Sequence, residues 1–291
     1  MGLYQLVERV ERASSLDAAA TATQGFAQRV LAPGPVKNAL CGTWLGHPLH
    51  PLLVAVPIGS WLDATALDLV GGPGSRRTAQ RLIGIGVLAA LPTAVAGVAD
   101  WTDTADAERR VGFVHAAGNA VAIALFGASW WARRRHRRGA GVALALAGNG
   151  VLVLTGHLGG HLSYSLGVGV DTTAFLGGPT EWAEVAPSSA VVANRPTAVE
   201  VGGTALLLVR QGGTLHALHD RCTHRGGPLH EGELGPGCIT CPWHDSRFGL
   251  EDGAVQQGPA TAPQAVFETR EVDGRIEVRR LEVRGLRTAP A

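Results

Sequence analysis

The sequence predicts a chain of two unlike parts, a four-helix transmembrane bundle followed by a small antiparallel all-β domain. Three observations predict it. Charged residues are only 17% of the 291, and between residues 52 and 158 they fall almost entirely in three short segments. Four apolar runs fill that stretch, each close to the roughly 20 residues a helix needs to cross a bilayer. Beyond residue 180 the pattern becomes short period-two segments divided by Gly- and Asp-rich turns, as strands require. The length suits two domains. The expected boundaries are a peripheral segment over 1–45, the four-helix domain over 46–165, a Gly-rich linker over 166–180, the β domain over 181–285 and a tail over 286–291.

Taken in order, residues 3–31 read as an interfacial amphipathic helix, with Leu3, Leu6, Val7 and Val10 at helical spacing. Nothing before residue 46 resembles a cleaved secretory signal, because no apolar core follows the early charges. The four runs cover 52–70, 82–99, 111–132 and 141–158 and are rich in Ala, Gly and Val, as closely packed membrane helices are. A soluble helix would carry a polar stripe, and these do not. Residues 159–180 are Gly-rich and weakly structured, with Gly177-Gly-Pro179 their plainest break, and twenty or so such residues would span roughly 25 Å as a flexible coil. Period-two strands are expected over 198–201, 205–210, 214–218, 266–272 and 275–279. Asp273-Gly274 between two of them is a hairpin turn.

Charge sets orientation and excludes some partners. A net charge of +1, with no basic face interleaved with aromatics, excludes a nucleic-acid reader. Arg76, Arg77 and Arg81 follow the first run, and Arg133, Arg134, Arg135, Arg137 and Arg138 follow the third. Those two loops share a side, which the positive-inside rule assigns to the cytoplasm. The loop between them holds Asp100, Asp103, Asp106 and Glu108 against Arg109 and Arg110. The expectation is a multi-pass cell-membrane protein with its β domain on the extracytoplasmic side. Arginines 133–138 before a Gly/Ala run resemble an internal Tat signal; ordinary positive-inside anchoring is the simpler account.

The chemistry concentrates in Cys222-Thr-His224 and Cys241-Pro-Trp-His244. Each short pair offers one thiolate and one imidazole from a tight loop. Two thiolates on one iron and two neutral imidazoles on the other make a [2Fe–2S] centre of Rieske type. Cys₂His₂ also suits tetrahedral zinc, but zinc fingers pair Cys with Cys and His with His, whereas these types alternate. His224-Arg-Gly-Gly-Pro-Leu229 and Cys241-Pro-Trp-His244-Asp-Ser-Arg-Phe248, with Gly253 and Gly258-Pro-Ala beyond, resemble Rieske ferredoxins and oxygenases over about the last hundred residues. The resemblance implies that Cys222, His224, Cys241 and His244 are the ligands. Rieske proteins of quinol–cytochrome c reductases carry a disulfide beside the cluster; Gly227 and Trp243 stand at those places here. Ser246 matches their hydrogen-bonding serine, while Phe248 replaces their tyrosine. The resemblance therefore implies a potential in the lower or middle part of the roughly −150 to +300 mV Rieske span. Cys41 and Cys238 are not ligands, and Cys238 is expected to be buried.

The membrane half has histidines of its own: His47 and His50 in Gly46-His-Pro-Leu-His-Pro51, His115, His157 and His161. Together with Pro57-Ile-Gly, Asp63, Gly159-Gly-His-Leu-Ser-Tyr164 and Gly167-Val-Gly-Val170, that opening resembles an uncharacterised four-helix bacterial membrane family over about residues 40–170. The family is often found beside redox modules, and the resemblance names no activity. All five histidines fall at the outer face in the expected topology, and converging ionisable groups at helix ends mark function. Three readings stay open: haem b between two axial imidazoles, with His115 and His157 the best-placed pair and His50 next; a quinone site using Asp63 or Asp100 for protons; or structural hydrogen bonds. Covalent c-type haem is excluded, because no CxxCH occurs.

The 47 residues after His244 hold no histidine, so a self-contained oxygenase with a mononuclear iron is not expected. The chain reads as a membrane-tethered iron–sulfur electron carrier. It would work between a haem or quinol in the membrane and another carrier protein, as a component of an oxidoreductase system. The alternative is a redox sensor whose cluster state alters a membrane-domain contact.

Overall fold

The structure, a computed structural model, describes residues 2–281; the expected tail over 286–291 lies outside the described residues. In chain order the helices are α1 (Leu3–Glu11), α2 (Asp17–Val30), α3 (Pro35–Cys41), α4 (Leu49–Val70), α5 (Arg76–Trp101), α6 (Asp106–Arg134) and α7 (Arg138–Tyr164). Strands follow as β1 (Ala183–Pro187), β2 (Thr197–Val201), β3 (Thr204–Gln211), β4 (Thr214–His219), β5 (Glu233–Gly235), β6 (Cys238–Thr240), β7 (Arg247–Gly249), β8 (Val255–Gln257), β9 (Val266–Val272) and β10 (Arg275–Arg280). Contacts divide the chain into Met1–Ala32 with Pro48–Gly169, and Pro33–His47 with Val170–Ala291.

In the helical unit, α4 to α7 are each long and apolar enough to cross a membrane. Pro48 precedes α4 and Pro51 lies in its first turn, where no intrahelical donor is lost. At the start of α6 the Ala105 N–H donates to the Glu108 carboxylate at 3.3 Å, and Asp106 and Glu108 suit the positive end of the helix dipole.

The bundle is an internal duplication. The hairpin α4–α5 repeats as α6–α7, and α4 and α6 face each other diagonally. His50 and His115 occupy the same place in the two copies. Each ring gives its Nδ1 to the main-chain carbonyl of a threonine on the following helix, Thr93 and Thr155, at 2.8 Å in both cases. Gly97 and Gly159, equally placed beyond those threonines, leave room for the rings: a Cβ there would come within 2.8 and 3.0 Å of them. Deeper in, Trp61 and its counterpart Phe126 stack 4.0 Å apart at 8°, and the matching glycines Gly86 and Gly148 lie against them. At the far end Asp68 and its counterpart Arg133 form an ion pair with both side chains buried, which Arg138 joins at 3.4 Å. The three contacts come in the same order along both helices, so α4 and α6 run parallel about a pseudo-two-fold axis.

The expected single amphipathic helix over 3–31 is instead α1 and α2, broken between them by a 3-10 turn at Ser14–Leu16. Of the apolar stripe only Val7 is buried. Polar bonds hold these helices down. Arg110 grips Asp17 through two nitrogens at 2.7 and 2.8 Å, and Gln24 donates to the carbonyls of Trp101 and Thr104.

In the second unit one sheet has the order β1-β10-β9-β4-β3-β2 and the other β5-β6-β7-β8, with antiparallel neighbours throughout. The turn Asp273-Gly274 has positive φ at both residues (48° and 76°), as a two-residue hairpin matching strand twist requires. Leu207, Val209, Leu218, Leu229, Ile239, Phe248 and Leu250 form one buried cluster with Cys222 and Cys241. The sequence showed β2, β3, β4, β9 and β10. A strand at Cys238, entering the second ligand loop, was also expected and is β6; β1 was not shown, nor were the three-residue strands β5, β7 and β8, which are too short for alternation to register.

Two expectations about connections need correcting. The linker is not a 20-residue coil: α7 runs on to Tyr164, Thr172 bonds the loop at Cys222, and the Arg280 N–H donates to Pro179 O at 2.7 Å. Residues 33–47, placed at the sequence level mostly in a peripheral segment, pack into the β unit. The Gly258 N–H donates to Asn38 Oδ1 at 3.0 Å, and Thr43 Oγ1 donates to Ala260 O at 3.3 Å.

Candidate metal centre

The loop after β4 and the loop between β6 and β7 have the same local fold. In the first, the Cys222 N–H donates to Gly227 O at 2.9 Å and the Gly226 N–H returns to Cys222 O at 2.8 Å. In the second, the Cys241 N–H donates to Ser246 O at 2.8 Å and the Asp245 N–H returns to Cys241 O at 3.2 Å. Gly226 and Asp245 take the left-handed conformation (φ 75° and 62°) that closes each loop. Inside each loop the two following amides point back at sulfur: His224 and Arg225 at Cys222, Trp243 and His244 at Cys241. Such donors stabilise thiolate, the form that binds metal.

The two loops meet. The Cys222 and Cys241 thiols share a hydrogen bond that lowers Cys241 to about 7 and raises Cys222, whose burial pushes it further the same way. The rings of His224 and His244 lie 5.1 Å apart at 88°. Burial foremost, then the neighbouring His244, Arg225 and Lys37, push His224 well below the ordinary histidine value, keeping the ring neutral. His224 Nδ1 is buried with no hydrogen-bond partner. A buried orphan nitrogen is costly unless something binds it. Yet no group of three or more His, Cys, Asp or Glu among the described residues is placed to hold a single metal ion. Sulfur beside sulfur and ring beside ring is the donor arrangement of a two-iron cluster, which takes its ligands in pairs, rather than of one zinc.

Comparison with known proteins agrees. Residues 181–269 match the Rieske [2Fe–2S] domain family, and residues 46–172 match the family described as a predicted membrane protein (DUF2231). The anthranilate 1,2-dioxygenase ferredoxin subunit of Burkholderia cepacia is 36% identical over 103 residues, 35% of this chain and 87% of that one. The chain belongs to the Rieske [2Fe–2S] family. Ferredoxin CarAc of Metapseudomonas resinovorans is 36% identical over 78 residues, 27% of this chain and 73% of its own. The solved ferredoxin of carbazole 1,9a-dioxygenase from Nocardioides aromaticivorans IC177 is 26% identical, covering 34% of this chain and 98% of its own with a TM-score of 0.33. The Rieske domain carries a [2Fe–2S] cluster for electron transfer, and it is joined here to a membrane domain.

Around the Rieske site the structure adds residues the motif did not show. Trp243 lies over Gly227, where a Cβ would come within 2.9 Å of Cys241 Sγ and 3.0 Å of the indole. That packing joins the loops at the place where the reductase-type proteins have their disulfide. Ser246 is fully buried and its Oγ accepts the Ala260 N–H at 3.0 Å, which leaves the hydroxyl proton to be donated elsewhere. Thr172 Oγ1 donates to Cys222 O at 3.0 Å. Lys37, only 5% exposed, reaches this neighbourhood from α3. Neither Thr172 nor Lys37 carried a local signal, since both are far from the motif in sequence. Cys238 is buried, as is Cys41.

Of the membrane histidines, the structure brings together His50 and His115, with ring centroids 6.5 Å apart. It does not bring His157 to them: that side chain is on the exposed face of α7, at the place equivalent to Val95 of α5. His161 Nε2 instead contacts Glu11 Oε1 at 2.6 Å and ties α1 to α7. His47 falls in the other unit. Asp63 is exposed on the outside of α4.

Proposed function

We propose that this chain is a membrane-tethered Rieske electron carrier. It passes single electrons between a redox partner in the membrane, haem or quinol, and another carrier protein. Cys222 and Cys241 bind one iron and His224 and His244 the other. When bound, such a cluster accepts and returns one electron. The protein's part is to hold two thiolates under amide donors, keep the His224 imidazole neutral and exclude water from the sulfur side. The observation that carries the reading is the matched pair of loops, which places sulfur beside sulfur and ring beside ring around a buried, unpartnered His224 Nδ1. The resemblance to a stand-alone ferredoxin subunit supports a carrier rather than a complete oxygenase. The helical unit makes the protein multi-pass in the cell membrane, with the Rieske domain on the extracytoplasmic side.

The test is EPR of the dithionite-reduced full-length protein, with iron, sulfide and zinc assays. A Rieske-type signal with two irons per chain is expected, and His224→Ala and Cys241→Ser should each abolish it. Stoichiometric zinc without iron would overturn the reading. Reduction by quinol or by a reduced haem protein, followed by the same signal, then identifies the donor.

A further inference from the structure

The duplication sets His50 and His115 at equivalent positions facing one another, and their chemistry restricts what they can bind. A main-chain carbonyl only accepts, so the bonds to Thr93 and Thr155 fix the proton of each ring on Nδ1 and leave each Nε2 unprotonated, as an acceptor. This is the state in which metal-ligating histidines are held, with the other ring nitrogen pinned to a carbonyl. Asn119 confirms it at one ring. Its Oδ1 accepts the Thr155 hydroxyl at 2.9 Å and its Nδ2 donates to His115 Nε2 at 3.0 Å, a bond that His115 gives up in order to bind a metal. The counterpart of Asn119 beside His50 is the apolar Val54. A quinone carbonyl is itself an acceptor and finds no donor on either ring.

The spacing points the same way. Two imidazoles gripping one metal from opposite sides, with bonds of about 2.0–2.1 Å and ring centres about 1.1 Å behind the nitrogens, have centroids about 6.3 Å apart. The observed separation is 6.5 Å. No third His, Cys, Asp or Glu among the described residues joins the pair to complete a site for a bare ion. The metal that fits two axial imidazoles and no other protein ligand is one whose remaining positions are filled by its own macrocycle. Gly97 and Gly159, where a Cβ would strike the rings, clear both copies alike.

We propose that His50 and His115 are the axial ligands of a single non-covalently bound haem on the pseudo-two-fold axis of the bundle. The inference rests on the electron-carrier reading and names the membrane redox partner within the same chain.

The full-length protein, produced with added iron and haem precursor, is assayed for haem content, optical and EPR spin state, and the Rieske EPR signal in the same sample. A single low-spin haem per chain is expected. His50→Ala and His115→Ala should lose it or leave it high-spin, whereas His157→Ala should keep the native spectrum. His115→Met should retain the haem with mixed His/Met ligation, a spectral change that a packing role would not produce. The Rieske signal and the elution volume report whether each variant is folded. A wild-type protein with a full Rieske signal and no haem overturns the haem site and leaves the carrier reading standing, with quinol as the partner. Low-spin haem persisting in both alanine variants, or an unaltered spectrum in His115→Met, also overturns the site. Haem without any Rieske signal overturns the carrier reading instead.

Discussion

Gly227 shows how closely the two ligand loops constrain each other. It is the residue over which Trp243 closes, and a methyl group there meets both the indole and Cys241 Sγ. Gly227→Ala should therefore lose the Rieske EPR signal faster on warming than wild type, with the initial signal shape retained. Ser246→Ala leaves the buried Ala260 N–H without its acceptor, at a cost of about 1–3 kcal/mol. By the family resemblance it also removes a hydrogen bond to the cluster. Redox titration should then show a lower potential, because fewer donors face the reduced state. His219 gives the pH dependence. Burial holds it below the ordinary histidine value, and its Nδ1 accepts the Arg221 N–H at 3.1 Å. The folded state thus disfavours the charged ring, so its contribution to stability is complete above about pH 6.5 and is lost as pH falls below that value. The thermal midpoint of cluster loss should drop between about pH 7.5 and about pH 5.5, and by less in His219→Gln. The proposed ligands could be picked out in the sequence because each pair is local, two or three residues apart. The pairing of His50 with His115 was not, because the carbonyl that orients each ring comes from a helix 43 or 40 residues away.

At the scale of elements, the four spans were readable from length and apolarity alone, whereas the duplication was not. The two hairpins agree chiefly where they face the axis, and elsewhere Ala, Gly, Val and Leu exchange freely. The sign that best betrays the repeat is a pair of opposites, Asp68 in one copy and Arg133 in the other. Arg133 Nη1 donates to Asp68 Oδ1 at 2.9 Å, with side chains 4% and 1% exposed. Removing Arg133 leaves the buried Asp68 carboxylate with only the longer contact to Arg138 at 3.4 Å, so Arg133→Ala should destabilise the bundle by at most about 3–5 kcal/mol. Arg133→Met combined with Asp68→Leu should cost much less, since nothing charged is then stranded. Unfolding of the detergent-solubilised protein in graded denaturing detergent checks both. If the single and double variants unfold alike, the pair does not hold the hairpins together. Helix α3 was misassigned in the sequence for a related reason. Its polar anchors, Asn38 and Thr43, act on main-chain atoms of Gly258 and Ala260, a relation that no local pattern encodes.

At the scale of the whole molecule, the covalent path decides where the Rieske domain can stand. The chain leaves the β unit at His47–Pro48 to enter α4 and returns to it at Gly169–Val170 after α7. If α4 to α7 all cross, as their length and apolarity allow, four consecutive spans return the chain to the side from which it left. The α4–α5 and α6–α7 connections must then lie on the opposite side, and arginines flank both. Arg76 and Arg77 open α5 just after the first, and Arg134, Arg135, Arg137 and Arg138 run from the end of α6 through the second to the start of α7. Loops of that kind stay in the cytoplasm, so the Rieske domain is expected outside. The four native cysteines are buried and give little labelling background. Arg77→Cys and Arg135→Cys, both at exposed positions, should react with an impermeant maleimide only after the membrane is opened. A site on the other side is harder to choose, because Asp103, the obvious acidic position between α5 and α6, is only 8% exposed. Ala105 is the exposed residue of that loop, and Ala105→Cys should react in intact cells. The opposite pattern of reactivity would put the Rieske domain in the cytoplasm, where its cluster could be delivered without export.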